Sequence, residues 1–141
     1  MAQQSVVDIA KAQVIAYNEK DWDKVKAGVA PEMVYDELGT QRKVEGVDEV
    51  LAVWKGWATA MPDSKATFNS EVASGNTVVL EITWRGTHEG PLKTPDGEIP
   101  PTGKSFELRA CQVVEVANDK VKSVRHYFDM GSLLRQLGVE H

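Results

Sequence analysis

His126 lies in the run Val124-Arg125-His126-Tyr127-Phe128. In a strand, residues two apart share a face. His126 therefore projects with Val124 and Phe128 as the single polar side chain of an apolar row. Gln112 has the same setting among Leu108, Ala110 and Val114. An imidazole or an amide isolated on such a face can move a proton or hold a carbonyl oxygen if a cavity opens beside it. The competing reading of His126 is a core histidine satisfied by a neighbour. His88, in Gly-Thr-His-Glu-Gly, ends the row 82, 84, 86, 88 and reads either as pocket rim or as a loop histidine. The three histidines, including the terminal His141, have no metal-ligand spacing, so no metal or cofactor is expected. Cys111 has the opposite parity to Gln112 and reads as a buried or interface thiol.

The elements that must position these groups change period along the chain. Residues 5 to 20 carry apolar side chains at helical spacing, with Ser5 and Asp8 placed as a capping pair. Asp21-Trp22-Asp23 breaks that helix and caps a second, Trp22 to Val29, which Pro31 ends; Trp22 packs between the two. Residues Met33 to Glu37 read as a short strand. Gly46 to Met61 forms a third helix with Val50, Trp54, Trp57 and Met61 on one side, stopped by Pro62. Residues 66–73, 77–88, 104–117 and 120–129 then alternate, with turns at Ser74-Gly75-Asn76, in the Gly90–Gly103 segment and at Ala117–Lys120. Asp129 is placed to cap a short final helix. Helices followed by an antiparallel meander make an α+β domain spanning 1–141, with a pocket between helices and curved sheet.

Bulk properties narrow the partners. At 141 residues the chain builds one core. A net charge of −5, with Lys and Arg scattered among the acids, argues against nucleic acid. No apolar run approaches the ~20 residues that span a bilayer, and the N-terminus lacks a signal-peptide pattern. A single cysteine excludes an internal disulfide and fits a reducing compartment. A cytoplasmic protein with a small hydrophobic partner is expected.

Several motifs in order carry a resemblance: Met61-Pro62-Asp63, Gly86-Thr87-His88-Glu89-Gly90, Pro100-Pro101-Thr102-Gly103-Lys104, and the ending Leu133-Leu134-Arg135-Gln136-Leu137-Gly138. Over nearly its whole length the chain resembles the nuclear transport factor 2-like superfamily, the cystatin-like cone, and within it the SnoaL-like polyketide cyclases and ester cyclases. Limonene-epoxide hydrolases and ketosteroid isomerases are more distantly similar. The resemblance implies three N-terminal helices packed into a curved antiparallel sheet, and a homodimer through that sheet. Val79, Cys111, Val113 and Val121 have outward parity for such a contact.

The family's active positions map one by one. The isomerases' aspartate base falls on Glu37, with Asp36 as the alternative inward residue, and their oxyanion tyrosine on Gln13. The epoxide hydrolases' water-holding tyrosine falls on Tyr35, their asparagine on Glu37 and their aspartate on His126. Their arginine and second aspartate fall on Ile82 and Trp84. The cyclases' aspartate falls on His126 and their histidine on Gln112. The resemblance therefore implies Glu37 as base, His126 as acid or oxyanion donor, and Tyr35 and Gln112 as orienting groups. Gln13, Tyr17, Trp54, Trp57, Met61, Trp84, His88, Leu108, Ala110 and Phe128 would surround the ligand. Three functions stay open: a cofactor-free cyclase, isomerase or lyase acting on an enolisable carbonyl compound; a hydrolase or hydratase, which Ile82 and Trp84 disfavour; and a non-catalytic binding module.

Overall fold

The computed structural model describes residues 5–139; His141 lies outside them. Helix α1 (Val6–Glu19) starts at Ser5, whose hydroxyl accepts from the Asp8 amide. Helix α2 (Trp22–Gly28) is capped by Asp21 and runs into strand β1 (Val29–Glu37). A hairpin leads to β2 (Arg42–Glu45), then α3 (Val47–Ala60) and strands β3 (Lys65–Ser74) and β4 (Thr77–Thr87). The small strands β5 (Leu92–Thr94) and β6 (Gly97–Ile99) precede the long pair β7 (Ser105–Ala117) and β8 (Lys120–Phe128). Helix α4 (Met130–Gln136) closes the fold, capped by Asp129. The β7–β8 turn places Asn118 and Asp119 at φ 53° and 63°, the left-handed pair that a tight hairpin needs. Among the described residues no helix is long and apolar enough to cross a membrane.

The six main strands order as β2-β1-β8-β7-β4-β3. The pattern is an α+β cone, with α1 and α3 on the inner face over a core that includes Ile9, Val14, Val50, Trp54, Leu80, Ile82, Val114 and Val124. Four details differ from the sequence reading. The β1–β8 pair is parallel within an otherwise antiparallel sheet, because β1 lies between its hairpin partner β2 and the last strand, which runs beside it in the same direction. Pro31 does not end α2. It lies inside β1, in the stretch between Val29 and Val34 where the β8 register shifts and its missing N–H costs no ladder bond. Val121 faces the core and not the outer face, because a bulge between Glu115 and Val116 reverses the parity at the start of β8. Finally, the Gly90–Gly103 segment is a docked hairpin. The Glu89 and Gly90 amides both donate to the Ala60 carbonyl at the end of α3, and a Cβ at Gly90 would lie 2.2 Å from the Thr59 oxygen.

Candidate active site

The inner face of the sheet and the helices enclose a cavity of ≈ 70 Å³. Its walls are Gln13, Val14 and Tyr17 from α1, Tyr35 and Glu37 from β1, Trp54 and Trp57 from α3, and Met61 and Ser64 just beyond it. Trp84, Phe106, Leu108, Gln112, His126, Phe128 and Leu133 complete it. Twelve of the fourteen side chains proposed from sequence line this space. The other two do not. Ala110, on the same row as Leu108 and Gln112, packs into the core because its single methyl is too short to reach the opening. His88 lies beyond the end of β4, where the chain turns to the β5–β6 hairpin.

At one end of the cavity strand pairing assembles a polar relay. Glu37, His126 and Gln112 occupy registered positions on β1, β8 and β7. Alternation sends Glu37 inward and fully buried, while Asp36 is half-buried on the outer face. The Glu37 carboxylate collects four donors. Its Oε2 accepts from Tyr35 Oη at 2.7 Å and Trp57 Nε1 at 2.9 Å. Its Oε1 accepts from Thr40 Oγ1 at 2.5 Å and Arg42 at 3.0 Å. These fill the acceptor sites a carboxylate has. Thr40 reaches inward because Gly39 lets the β1–β2 turn settle on Phe128; a Cβ there would lie 2.4 Å from the ring. Arg42 is the registered partner of Glu37 across the hairpin. Neither Thr40 nor Arg42 was foreseen, since β2 is too short to show a period.

Glu37 and His126 share no hydrogen bond. Tyr35 stands between them, 2.8 Å from His126 Nδ1. The phenol has one proton and gives it to Glu37, so Nδ1 must carry the proton of that second bond. This sets the tautomer: Nδ1–H donates to Tyr35, and Nε2 holds a lone pair. Nε2 accepts from Trp84 Nε1 at a long 3.3 Å. Burial drives His126 from the ordinary 6.5 down to about 4, partly opposed by the negative charge of Glu37. The imidazole is neutral at pH 7. Burial and the adjacent carboxylate hold the Tyr35 phenol well above its usual value, so it keeps its proton.

Beside His126, the Gln112 carbonyl accepts from Gln13 Nε2 at 2.8 Å, and Gln13 also donates to the Ala10 carbonyl at 3.0 Å. The Gln112 amino group makes no hydrogen bond among the described residues. At the other end, Tyr17 Oη and Ser64 Oγ lie 2.7 Å apart. Burial raises the Tyr17 phenol to about 12. Ser64 escaped notice in the sequence because it follows the Pro62-Asp63 helix stop and belongs to no periodic row. Among the described residues, no group of three or more His, Cys, Asp or Glu side chains forms a metal-holding cluster.

Outside the cavity, His88 is fully buried, and its Nδ1 lies 3.1 Å from Thr102 Oγ1 and accepts from the Thr102 amide at 3.3 Å. Its own amide donates to Lys104, and its carbonyl accepts from Gly103. These bonds close the base of the β5–β6 hairpin.

Solved structures share this architecture. The chain is 25% identical to wild-type IdmH of Streptomyces antibioticus, described as a candidate polyketide cyclase, over 96% of this chain and 100% of that one, with a TM-score of 0.80. A candidate SnoaL-like polyketide cyclase from Jannaschia sp. CCS1 is 15% identical over the whole of both chains, TM-score 0.85. An LEH-like epoxide hydrolase of M. tuberculosis is 19% identical over 94% and 88%, TM-score 0.72. A comparison with curated proteins returned no match. The profile of one family, however, spans residues 7–137 of the cone just described, and by that match the chain belongs to the SnoaL-like polyketide cyclase family.

Proposed function

We propose that the protein is a cofactor-free acid/base enzyme that removes and returns a proton next to the carbonyl of a small hydrophobic compound, the first step of an isomerisation, cyclisation or elimination. The observation that carries this reading is the lone pair of a neutral, buried His126 Nε2 on the cavity wall, engaged only by the long 3.3 Å bond from Trp84, with the opposite ring nitrogen tied to Glu37 through Tyr35. The roles differ from those expected from sequence. Glu37 has no acceptor site left for a substrate proton. His126 Nε2 is the base instead, and Glu37 acts through Tyr35 as a positioning group that fixes the tautomer. When the imidazole takes a proton, the buried carboxylate favours the cation that forms. The Gln112 amino group, next to His126 across the strand pair, holds the carbonyl oxygen where negative charge develops. Trp84 leaves Nε2 as the substrate arrives, since its 3.3 Å bond is the weakest of the relay.

The test is α-proton exchange into D₂O followed by NMR on small enolisable ketones, comparing wild type with His126→Gln. The expected result is catalysed exchange that falls at least about a hundredfold in the variant. Exchange that is absent in wild type, or undiminished without His126, would sink the reading. A second copy of the chain completes the proposal. The outer face of the sheet exposes Val72 at 63% and Tyr127 at 43%, beside half-buried Val79, Cys111 and Val113. Sedimentation should give a dimer that Tyr127→Glu dissociates, and a wild-type monomer would reject it.

A further inference from the structure

The two hydroxyls at the far end of the cavity do not balance. Tyr17 and Ser64 are 7% and 4% exposed and share one hydrogen bond of 2.7 Å. Two hydroxyl protons enter that pair and a single one is used, whichever oxygen donates. The other proton has no acceptor among the described residues, in a wall that is otherwise mostly apolar. The nearby cation cannot take it: Lys20 donates its own proton to the Ser64 carbonyl and lies 4.5 Å from the centre of the Tyr17 ring. A buried donor left unspent is costly, and a ligand oxygen relieves that cost.

The geometry between the two ends sets a length. Trp84 stands edge-on to Tyr17 with ring centres 5.3 Å apart, and its ring centre lies 6.1 Å from that of His126. A molecule held at both ends therefore spans the gap that one indole bridges. The ≈ 70 Å³ cavity is smaller than the ~150 Å³ cavity known to hold benzene, so even one ring must displace a side chain, and Trp84 is held by the longest hydrogen bond of the relay.

We propose that Tyr17 and Ser64 form a second polar subsite, which donates a hydrogen bond to an oxygen at the end of the substrate remote from His126. The substrate class is then a compact, flat, largely apolar carbonyl compound, of about one ring, with a second acceptor oxygen across the ring from the reacting carbonyl. This deepens the carbonyl chemistry proposed at His126 and rests on it for the identity of the first oxygen.

The probes are cyclohexanone, with one oxygen, and cyclohexane-1,4-dione, with two at opposite ends. Their dissociation constants are measured by NMR titration against wild type and the double variant Tyr17→Phe/Ser64→Ala. The ratio of the two constants cancels the intrinsic polarity of the probes. It should move about fivefold against the dione in the double variant, while cyclohexanone binding stays within about twofold. An unchanged ratio overturns the subsite, as does failure of both probes to bind wild type. Should the double variant not fold, wild-type protein labelled with 3-fluorotyrosine decides. The Tyr17 fluorine signal must shift with the dione and not with cyclohexanone, and equal shifts overturn the proposal. Deuterium exchange into cyclohexanone, measured in parallel with His126→Gln, reports on the catalytic reading alone, so either can fail while the other stands.

Discussion

His126 and His88 are both buried, and burial is the main cause that lowers the proton affinity of each. Their surroundings nevertheless differ. His126 sits in a row whose neighbours across the sheet are Gln112 and Glu37, and it turns one nitrogen toward a cavity. His88 sits where β4 ends, and spends its ring nitrogen and both backbone groups on residues 102–104. Burial and a depressed pKa therefore do not by themselves distinguish the histidine proposed as base from the one outside the cavity. What separates the two is the destination of the second nitrogen. One faces space that a substrate can enter, and the other lies outside it.

Four experiments would break or sharpen that contrast. The largest effect is expected on chemistry: His126→Gln should cost about 10²–10⁴-fold in exchange rate, and His88→Gln no more than about twofold. Equal losses would erase the distinction. Next, Glu37→Ala should cost about 3–5 kcal/mol in urea unfolding, since it strands Arg42 and three further donors facing a fully buried site. A cost under about 1 kcal/mol would show that the relay is not formed in solution.

The third concerns pH. His126 falls from 6.5 in the unfolded chain to about 4 in the folded one. Above pH 6.5 neither state binds the proton, and stability is flat. Between 6.5 and 4 the unfolded chain binds it and the folded one does not, so stability falls with pH, by about 3 kcal/mol in all. His88 is shifted in the same direction and adds to the slope. His126→Gln should remove most of this dependence; a slope that survives intact would place the shift elsewhere. The exchange rate should stay level down to about pH 4 on the acid side, where Nε2 becomes protonated. The smallest effect is expected from His88→Ala: about 1–2 kcal/mol, with faster amide exchange in residues 90–103 and catalysis unchanged. Loss of catalysis there would make the hairpin part of the site.

The single-sequence reading reached most of the cavity wall because strand alternation and helical spacing are local. Gln112 and His126 each sit in a row whose parity shows in five or six residues, whereas Tyr35 and Glu37 were reached through the family resemblance. Parity fails where the backbone departs from its period, and Val121, beyond a bulge, is the example. Ser64, Thr40 and Arg42 belong to a helix stop, a turn and a four-residue strand, which have no period to read.

What the chain determined alone is therefore the order of the main helices and long strands, the turns at Asn118-Asp119 and Pro62-Asp63, and the inward faces of the regular rows. Each follows from φ/ψ preferences and spacing over a few residues. Only the tertiary structure decided who bonds to whom. The parallel pairing of β1 with β8 brings residues 91 positions apart to 2.8 Å, and so puts Tyr35, not the carboxylate, against His126. The proton's place on that ring follows from counting donors in the assembled relay, and no local stretch of sequence contains that count.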